Sequence, residues 1–152
     1  MYTDGACIDN PGPGGYGVVL LYKGHRKELS GGFRQTTNNR MELMACIVGL
    51  QALKRKSSVV IHSDSKYVVN GMTRGWAKKW QANNWQRSEK VKAQNADLWS
   101  QLLDLCQKHE VEFVWVKGHV GNPENEHCDR LSTEAAHGNI LPADFGFRRK
   151  AV

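Results

Sequence analysis

The hydrophobic pattern of the first third of the chain is typical of β-strands separated by turns. Residues 15–33 (GYGVVLLYKGHRKELSGGF) predict two strands joined by a short turn at Lys23 and Gly24. Residues 1–8 (MYTDGACI) are also strand-like, and a turn-dense loop at residues 9–15 (DNPGPGG) follows them. The N-terminal part of the chain is therefore predicted to form three strands.

Helical and strand-like patterns alternate over the rest of the chain. Helices are predicted where apolar residues recur near every 3.6 positions, and buried strands where short apolar runs occur. The predicted helices are 36–54, 65–72, a short one within 75–93, 95–109 and 122–136, and the predicted strands are 57–64 and 111–118. The last helix has Asn122 as its cap and Pro123 at its first position, which is a typical helix start.

This order of elements predicts one α/β domain with a mixed sheet that is antiparallel at one edge. The chain has 152 residues, which is enough for one domain with a sizeable hydrophobic core but too few for two domains of ordinary size. Residues from about Gly138 show no clear periodicity. We expect a domain over residues 1–137 and a flexible tail over residues 138–152.

One glutamate does not fit the amphipathic pattern of the helix at residues 36–54. At 100° per residue Glu42 lies on the small, apolar side, while Arg40 and Gln51 fall nearly opposite, on a polar side that should face away. A carboxylate taken out of water costs several kcal/mol unless it is paired or bound to a metal. Two explanations are open: a capping box with Asn39, or a metal site.

The positive charge of the chain is concentrated in one segment. The net charge is +6, but residues 54–92 alone carry ten Lys or Arg and two acids, so that the remainder is slightly acidic. This segment suggests a polyanionic partner, although a solvated basic helix is an alternative. Trp76, Trp80 and Trp85 are interleaved with the cations, and they suit either nucleic-acid stacking or core packing.

Several protein classes are disfavoured by the composition. No apolar run approaches the roughly 18 residues of a membrane span, and the N-terminus lacks a signal pattern, so no membrane association is expected. The four cysteines form no C-x-x-C pair, which argues against a zinc ribbon or disulfide scaffold and favours a reducing cytoplasm. His119, His127 and Cys128 lack the partners and spacing of a zinc site.

Four carboxylates lie at or near the ends of predicted elements: Asp4, Glu42, Asp64 and Asp129. If they converge, a hard divalent cation would remove their mutual repulsion, and oxygen-only ligands suit Mg²⁺. Each residue also has an ordinary explanation. Asp4 could belong to a turn, and Asp64 could cap the following helix. Asp129, which we place at the opening of the last helix, could be a solvated acid.

The combination of five motifs resembles the type 1 ribonuclease H family, in its bacterial single-domain branch. The motifs are YTDGAC, NPGPGGYG, TTNNRMELMA, SDSKYVVNG and WVKGHVGNPENEHCD, in this order, between Tyr2 and about residue 136. The resemblance implies a five-stranded mixed sheet in the order 3-2-1-4-5 with helices on both faces. It also implies that Asp4, Glu42, Asp64 and Asp129 are catalytic metal ligands, and that His119, which otherwise fits an ordinary loop histidine, is the catalytic loop histidine.

The resemblance further implies contacts to a nucleic-acid duplex. RNA-side contacts map onto Asn10, Asn38, Asn39 and the backbone near Cys7. A DNA phosphate pocket maps onto Thr37 and Asn95. The basic helix and loop that bind the DNA strand in the family map onto residues 74–92. The candidate contacts there are Trp76, Lys78, Lys79, Trp80, Trp85 and Arg87.

The implied activity is hydrolysis of the RNA strand of RNA–DNA hybrids, which leaves 5′-phosphate and 3′-hydroxyl ends. Two Mg²⁺ ions per site are expected, with Mn²⁺ as a possible substitute. Asp4 is expected to bridge both ions, and His119 to move a proton or help product leave. We expect a monomer. A binding module with a degenerate acidic site and a DNA strand-transfer enzyme are the rival interpretations.

Three positions depart from the family pattern. Only three residues precede Asp4, where the family usually has several more, so either the start lies upstream or the central strand is frayed. Lys66 stands where close relatives often have a glutamine near the RNA strand. Residues 80–86 (WQANNWQ) are less basic than the usual protruding loop, although two lysines lie just before them.

Overall fold

The computed structural model of the chain describes residues 1–118 and 121–147. Five strands and five helices lie within these residues. The strands are β1 (Tyr2–Cys7), β2 (Gly12–Tyr22), β3 (His25–Thr36), β4 (Ser58–Ser63) and β5 (Glu110–Trp115). The helices are α1 (Asn38–Gln51), α2 (Lys66–Thr73), α3 (Trp76–Ala82), α4 (Ala96–Lys108) and α5 (Pro123–Ala136). The predicted order of strands and helices is confirmed, with α3 as a third helix between β4 and β5.

The strands form one mixed sheet in the order β3-β2-β1-β4-β5, as the resemblance implied. The first three strands pair antiparallel, whereas β4 pairs parallel with both β1 and β5. The turn between β2 and β3 is made by Lys23 and Gly24, both with positive φ, which is the geometry that suits a two-residue hairpin. β1 is a continuous strand of six residues at the centre of the sheet, so it is not frayed.

Helices cover both faces of the sheet. A Cβ on Gly14 would touch Met41 of α1, whereas a Cβ on the next residue, Gly15, would collide with the backbone of α5. Since successive residues of a strand point to opposite faces, α1 and α5 lie on opposite sides of β2. The main core lies on the α1 side, where the fully buried Trp99 and Leu102 of α4 pack with α1, α2 and β4.

The start of α1 differs from the predicted capping box. Thr37 is the N-cap, and its Oγ1 accepts a hydrogen bond from the backbone N of Arg40 at 3.3 Å. Asn39 therefore does not cap the helix, and Glu42 is engaged elsewhere. The prediction that Arg40 faces away from the core is also wrong, because its side chain is only 2% exposed and pairs with acids from outside α1.

Two other acids occupy positions that differ from the sequence-based interpretation. The N-cap of α2 is Ser65, whose Oγ accepts from the backbone N of Val68 at 3.2 Å, so Asp64 is left free of that role. Asp129 lies in the second turn of α5 and does not open it. The predicted start of α5 is confirmed, since Asn122 caps it and Pro123 is its first residue.

The residues after α5 have no regular secondary structure but contact the domain. The backbone N of Arg34 in β3 donates to the carbonyl of Pro142 at 2.9 Å. Asp144 is 8% exposed and accepts a hydrogen bond from the Thr36 hydroxyl at 2.7 Å. The sequence did not predict these contacts, and the domain boundary at residue 137 stays a prediction. Among the described residues, no helix combines the length and apolar character that crossing a membrane requires.

Candidate active site

Three of the four predicted metal ligands converge at one edge of the sheet. In the parallel pairing of β1 with β4, Thr3 lies beside Ser63, so Asp4 within β1 lies next to Asp64, the residue that follows the end of β4. Asp4, Glu42 and Asp64 each offer a carboxylate oxygen, and these oxygens all lie within 4.8 Å of one another. Topology thus brings together residues that are up to 60 positions apart.

Close packing of α1 on β1 places Glu42 in the cluster. A Cβ on Gly5 would lie 2.5 Å from backbone atoms of Met41 and Glu42, so only glycine permits this approach. The backbone N of Gly5 donates to Glu42 Oε1 at 2.6 Å. The other oxygen, Oε2, is buried without a hydrogen-bond partner in the described part of the chain. A buried carboxylate oxygen without a partner is costly, and a bound cation would satisfy it.

The electrostatics of the cluster favour either protons or a metal. The pKa of Asp4 is raised from 3.8 to about 7. Burial is the main cause and the charges of Asp64 and Asp129 add to it, while hydrogen bonds with Glu42 and Gly5 N lower the pKa. Burial also raises the pKa of Glu42 well above its ordinary value, and the neighbouring Asp4 adds to the effect. Crowded carboxylates behave in this way when no cation balances them. The donor set, all oxygen, fits Mg²⁺.

The fourth predicted ligand, Asp129, lines a cavity that the other three acids also line. This cavity measures about 410 Å³ and is lined by residues of β1, α1 and α5 and by the residues that follow β4. Asp129 lines it together with the other three acids, and its charge raises the pKa of Asp4. Among the described residues, however, the group with mutually close ligand atoms contains three acids and not four. A ligand role for Asp129 stays a prediction.

The predicted RNA-side residues lie beside the acids. Asn38 and Cys7 line the acidic cavity. Asn10 is exposed, and its Oδ1 accepts a hydrogen bond from the backbone N of Asn38 at 3.1 Å. Asn39 is exposed in the first turn of α1. Contacts of these residues with RNA stay predictions. Such contacts require residues close to the acidic cluster, and Asn38 and Cys7 line its cavity.

The predicted DNA-side residues, Thr37 and Asn95, meet at Arg40, which the sequence had not marked as functional. Thr37 Oγ1 accepts from the backbone N of Arg40, and Asn95 Oδ1 accepts from Arg40 Nη1 at 3.3 Å. Asn95 Nδ2 donates to the Tyr67 hydroxyl at 3.1 Å. Arg40 also pairs with Asp144, which lies in the segment after α5 and could have been identified as its partner only from the fold. Arg40 occupies an acceptor on each of the two predicted DNA-side residues, and Tyr67 takes one N–H of the Asn95 amide. Among the described residues, the Thr37 hydroxyl hydrogen and the second amide N–H of Asn95 remain for an anion such as a phosphate.

The basic segment divides into core and surface residues. Trp80 packs edge-on against Trp99 with ring centroids 6.0 Å apart, and Trp85 also packs against the core, so the core-packing alternative is favoured for both. Trp76 is 37% exposed, and the guanidinium of Arg74 lies 5.8 Å from its ring centroid. The cations proposed to hold DNA are exposed: Lys78, Lys79 and Arg87.

The loop that carries the predicted catalytic histidine begins at the acidic cluster. His119 itself lies outside the described residues. The preceding residue, Gly118, is so close to Asp64 that a Cβ on it would lie 2.6 Å from Asp64 Oδ2. The indole of Trp115 donates to the backbone carbonyl of Asp64 at 3.2 Å, and Lys66 Nζ lies 5.1 Å from the centroid of the Trp115 ring. Lys66 therefore stands next to the candidate site.

Comparison with known proteins gives one consistent family. The family model described as RNase H matches residues 1–137. A curated protein named Ribonuclease H, from Rippkaea orientalis, is 60% identical over 152 residues, which cover 100% of this chain and 93% of that protein.

Solved structures agree with this result. The crystal structure of LC9-RNase H1, described as a type 1 RNase H with the type 2 active-site motif, matches with a TM-score of 0.79 and 33% identity, covering 91% of this chain and 72% of that one. LC11-RNase H1 in complex with RNA/DNA hybrid matches with a TM-score of 0.68 and 25% identity, covering 89% and 94%. The chain therefore belongs to the RNase H family and is a ribonuclease H enzyme.

Proposed function

We propose that the protein hydrolyses the RNA strand of RNA–DNA hybrids with two Mg²⁺ ions, leaving 5′-phosphate and 3′-hydroxyl ends. The observation that carries the proposal is the convergence of three carboxylates, including a buried Glu42 oxygen without a partner among the described residues. One relative of known structure, LC11-RNase H1, is in complex with an RNA/DNA hybrid, which supports the choice of substrate.

The acids would divide the ligand positions by their placement. Asp4 is the central member, because all three other acids act on the pKa of its carboxyl: a hydrogen bond with Glu42 lowers it, and the charges of Asp64 and Asp129 raise it. Asp4 would therefore be the ligand that both ions share. Glu42 and Asp64 would each hold one ion, and Asp129, which lines the same cavity, would complete the site. Bound Mg²⁺ supplies an activated water and stabilises charge on the leaving oxygen, and Mn²⁺ has compatible chemistry. His119 would accept or donate a proton near the leaving group.

Binding of the hybrid would use two separate sets of donors. Asn10, Asn38 and Asn39, beside the acids, would read 2′-hydroxyl groups of the RNA strand, since only the sugar distinguishes RNA from DNA near the phosphate. Thr37 and Asn95 would hold a phosphate of the DNA strand. The exposed cations of α3 and the following loop would add sequence-independent attraction to the phosphates. We further propose that the enzyme acts as a monomer in the cytoplasm, on primers and transcription-derived hybrids.

The decisive experiment is cleavage of an end-labelled hybrid with and without Mg²⁺. We expect cuts within the RNA strand only when metal is added, and products that a ligase can join without prior phosphorylation. Asp4→Asn should abolish cleavage while hybrid binding, measured without turnover, stays within about twofold, because an amide coordinates Mg²⁺ weakly. If this variant keeps more than about a tenth of wild-type turnover, Asp4 is not an essential ligand. Binding without any metal-dependent cleavage would instead favour a binding module.

A further inference from the structure

The side chain of Arg40 is saturated by protein partners. A guanidinium has five N–H donors, and those of Arg40 go to Asp144, Asp97 and Asn95. Nε and Nη2 reach the two oxygens of Asp144 at 2.7 and 3.0 Å, and Nη1 and Nη2 reach those of Asp97 at 2.8 and 2.7 Å. Nη1 also donates to Asn95 Oδ1 at 3.3 Å. Arg40 therefore has no donor left for a substrate phosphate, despite its place between Thr37 and Asn95.

One of these partners comes from outside the residues that match the family. The family model ends at residue 137, whereas Asp144 lies in the segment that follows α5. Its side chain is 4% exposed and is held by the Thr36 hydroxyl as well as by Arg40. Two residues later, Gly146 packs directly against the side chains of Arg40 and Asp97. A Cβ on Gly146 would collide with the Asp97 carboxylate and with Arg40 Nη2, so the backbone itself covers the ion pairs.

We propose that Asp144 is a positioning residue for the DNA-strand phosphate site, an inference that rests on the proposed function of Thr37 and Asn95. The two hydrogen bonds from Nε and Nη2 to the buried Asp144, together with the two to Asp97, fix the plane of the guanidinium and so the direction of Nη1. Nη1 in turn holds the oxygen of the Asn95 amide, which turns the amide nitrogen toward Tyr67 and leaves one of its N–H groups without a partner among the described residues. The segment after α5 thus determines the orientation of the Asn95 amide, and so which of its N–H groups can donate to a phosphate.

The electrostatic and the positioning effects of Asp144 have opposite signs. Arg40 with two aspartates carries a net charge of −1, so loss of Asp144 makes this region more positive. By charge alone, its removal should strengthen binding of a polyanion. By positioning, removal should weaken binding. Only the more exposed Asp97 would still hold the guanidinium, so Arg40 would gain freedom to turn and the Asn95 amide would lose its fixed orientation. A weaker affinity after removal of an acid therefore identifies the positioning role.

The test uses Asp144→Ala, with Gly146→Ala as a second variant that disturbs the same cluster without changing charge. The matched control is Asp104→Ala, which removes an exposed acid of α4 and makes the same change in net charge. Cleavage of a hybrid with Mg²⁺ is measured at a temperature where circular dichroism shows all variants folded. For Asp144→Ala and Gly146→Ala we expect KM to rise about tenfold, the usual loss for one charge-assisted contact, with kcat within about twofold. The control should keep the wild-type KM or lower it slightly.

A second measurement ties the effect to a phosphate. DNA strands that carry one neutral methylphosphonate at each position in turn are paired with RNA, and affinity is measured with Ca²⁺ in place of Mg²⁺. Wild type should lose about tenfold at one position, and Asp144→Ala should lose less than about threefold there, because its contact is already weakened. Equal losses in both proteins would overturn the positioning role, as would a wild-type KM in Asp144→Ala.

The variant Asn95→Ala separates this inference from the function on which it rests. If Asn95→Ala binds the hybrid as tightly as wild type, the proposed DNA phosphate site is wrong, and the inference falls with it. If Asn95→Ala binds weakly while Asp144→Ala binds like wild type or more tightly, the phosphate site stands and only the role of Asp144 is refuted.

Discussion

Neutralising Asp4 should stabilise the metal-free protein while it removes activity. Asp4 is 4% exposed, and burial raises its pKa from 3.8 to about 7, so its charge opposes folding at neutral pH. At about 1.4 kcal/mol per pKa unit, the charged form costs the folded state at most about 4 kcal/mol. The variant Asp4→Asn keeps an oxygen that can accept the hydrogen bond from Gly5 N. We therefore expect it to raise the free energy of unfolding by about 2–4 kcal/mol above pH 7.

The gain should depend on pH in a definite direction. Between pH 3.8 and about 7 the folded wild type keeps a proton on Asp4 that the unfolded chain has lost. The free energy of unfolding of wild type therefore falls as pH rises through this window. Asp4→Asn lacks this dependence. Groups that do not interact with Asp4 titrate alike in both proteins, whereas Glu42, whose pKa the Asp4 charge raises, is ionised more easily in the variant and adds to its advantage. The advantage of the variant should be near zero at about pH 4 and complete just above the folded-state pKa.

The assay is urea or thermal unfolding in EDTA, followed by circular dichroism from pH 4 to 8. A gain of about 2–4 kcal/mol should raise the thermal midpoint by roughly 5–15 °C for a chain of this length. Asp104→Asn, at an exposed position, serves as the control and should leave the midpoint unchanged. Adding Mg²⁺ should stabilise wild type more than Asp4→Asn, because a ligand stabilises the state that binds it. If Asp4→Asn is no more stable than wild type at pH 8, the carboxylates are not crowded out of water, and the metal-site reasoning fails.

Three further predictions concern the reaction and the substrate. His119→Ala should slow turnover by about 10²-fold or less without changing KM, as measured by steady-state cleavage, and a loss of affinity instead would place His119 in substrate binding. Replacing Lys78, Lys79 and Arg87 together by Ala should weaken binding to hybrid and to duplex DNA alike, and should make the slope of log affinity against log salt shallower; an unchanged slope would mean that these side chains are only solvated surface. A hybrid with a run of ribonucleotides should be cut well and a single ribonucleotide in duplex DNA poorly, since several 2′-hydroxyl groups are read at once, and efficient cleavage at the isolated ribonucleotide would contradict that mode of recognition.

Local signals in the sequence determined most elements of the fold. The turn at Lys23 and Gly24, the start of α5 at Asn122 and Pro123, and the 3.6-residue periodicity of α4 all depend on interactions within a few residues. For this reason the positions of the strands and helices could be predicted without knowledge of their neighbours. The acidic cluster could be predicted as well, because the motifs around the four acids resemble a known family.

Tertiary structure alone decided what the individual polar side chains do. A helical projection of α1 placed Arg40 on the outer face. The projection was wrong because the partners that bury Arg40 come from α4 and from the segment after α5, which the sequence of α1 does not reveal. The same limit applies to Glu42, whose hydrogen bond to Gly5 N depends on the approach of α1 to β1, and to Trp80, whose partner Trp99 lies 19 positions away. Local sequence sets backbone conformation over a few residues, but burial and ion pairing arise between segments that only the folded chain brings together.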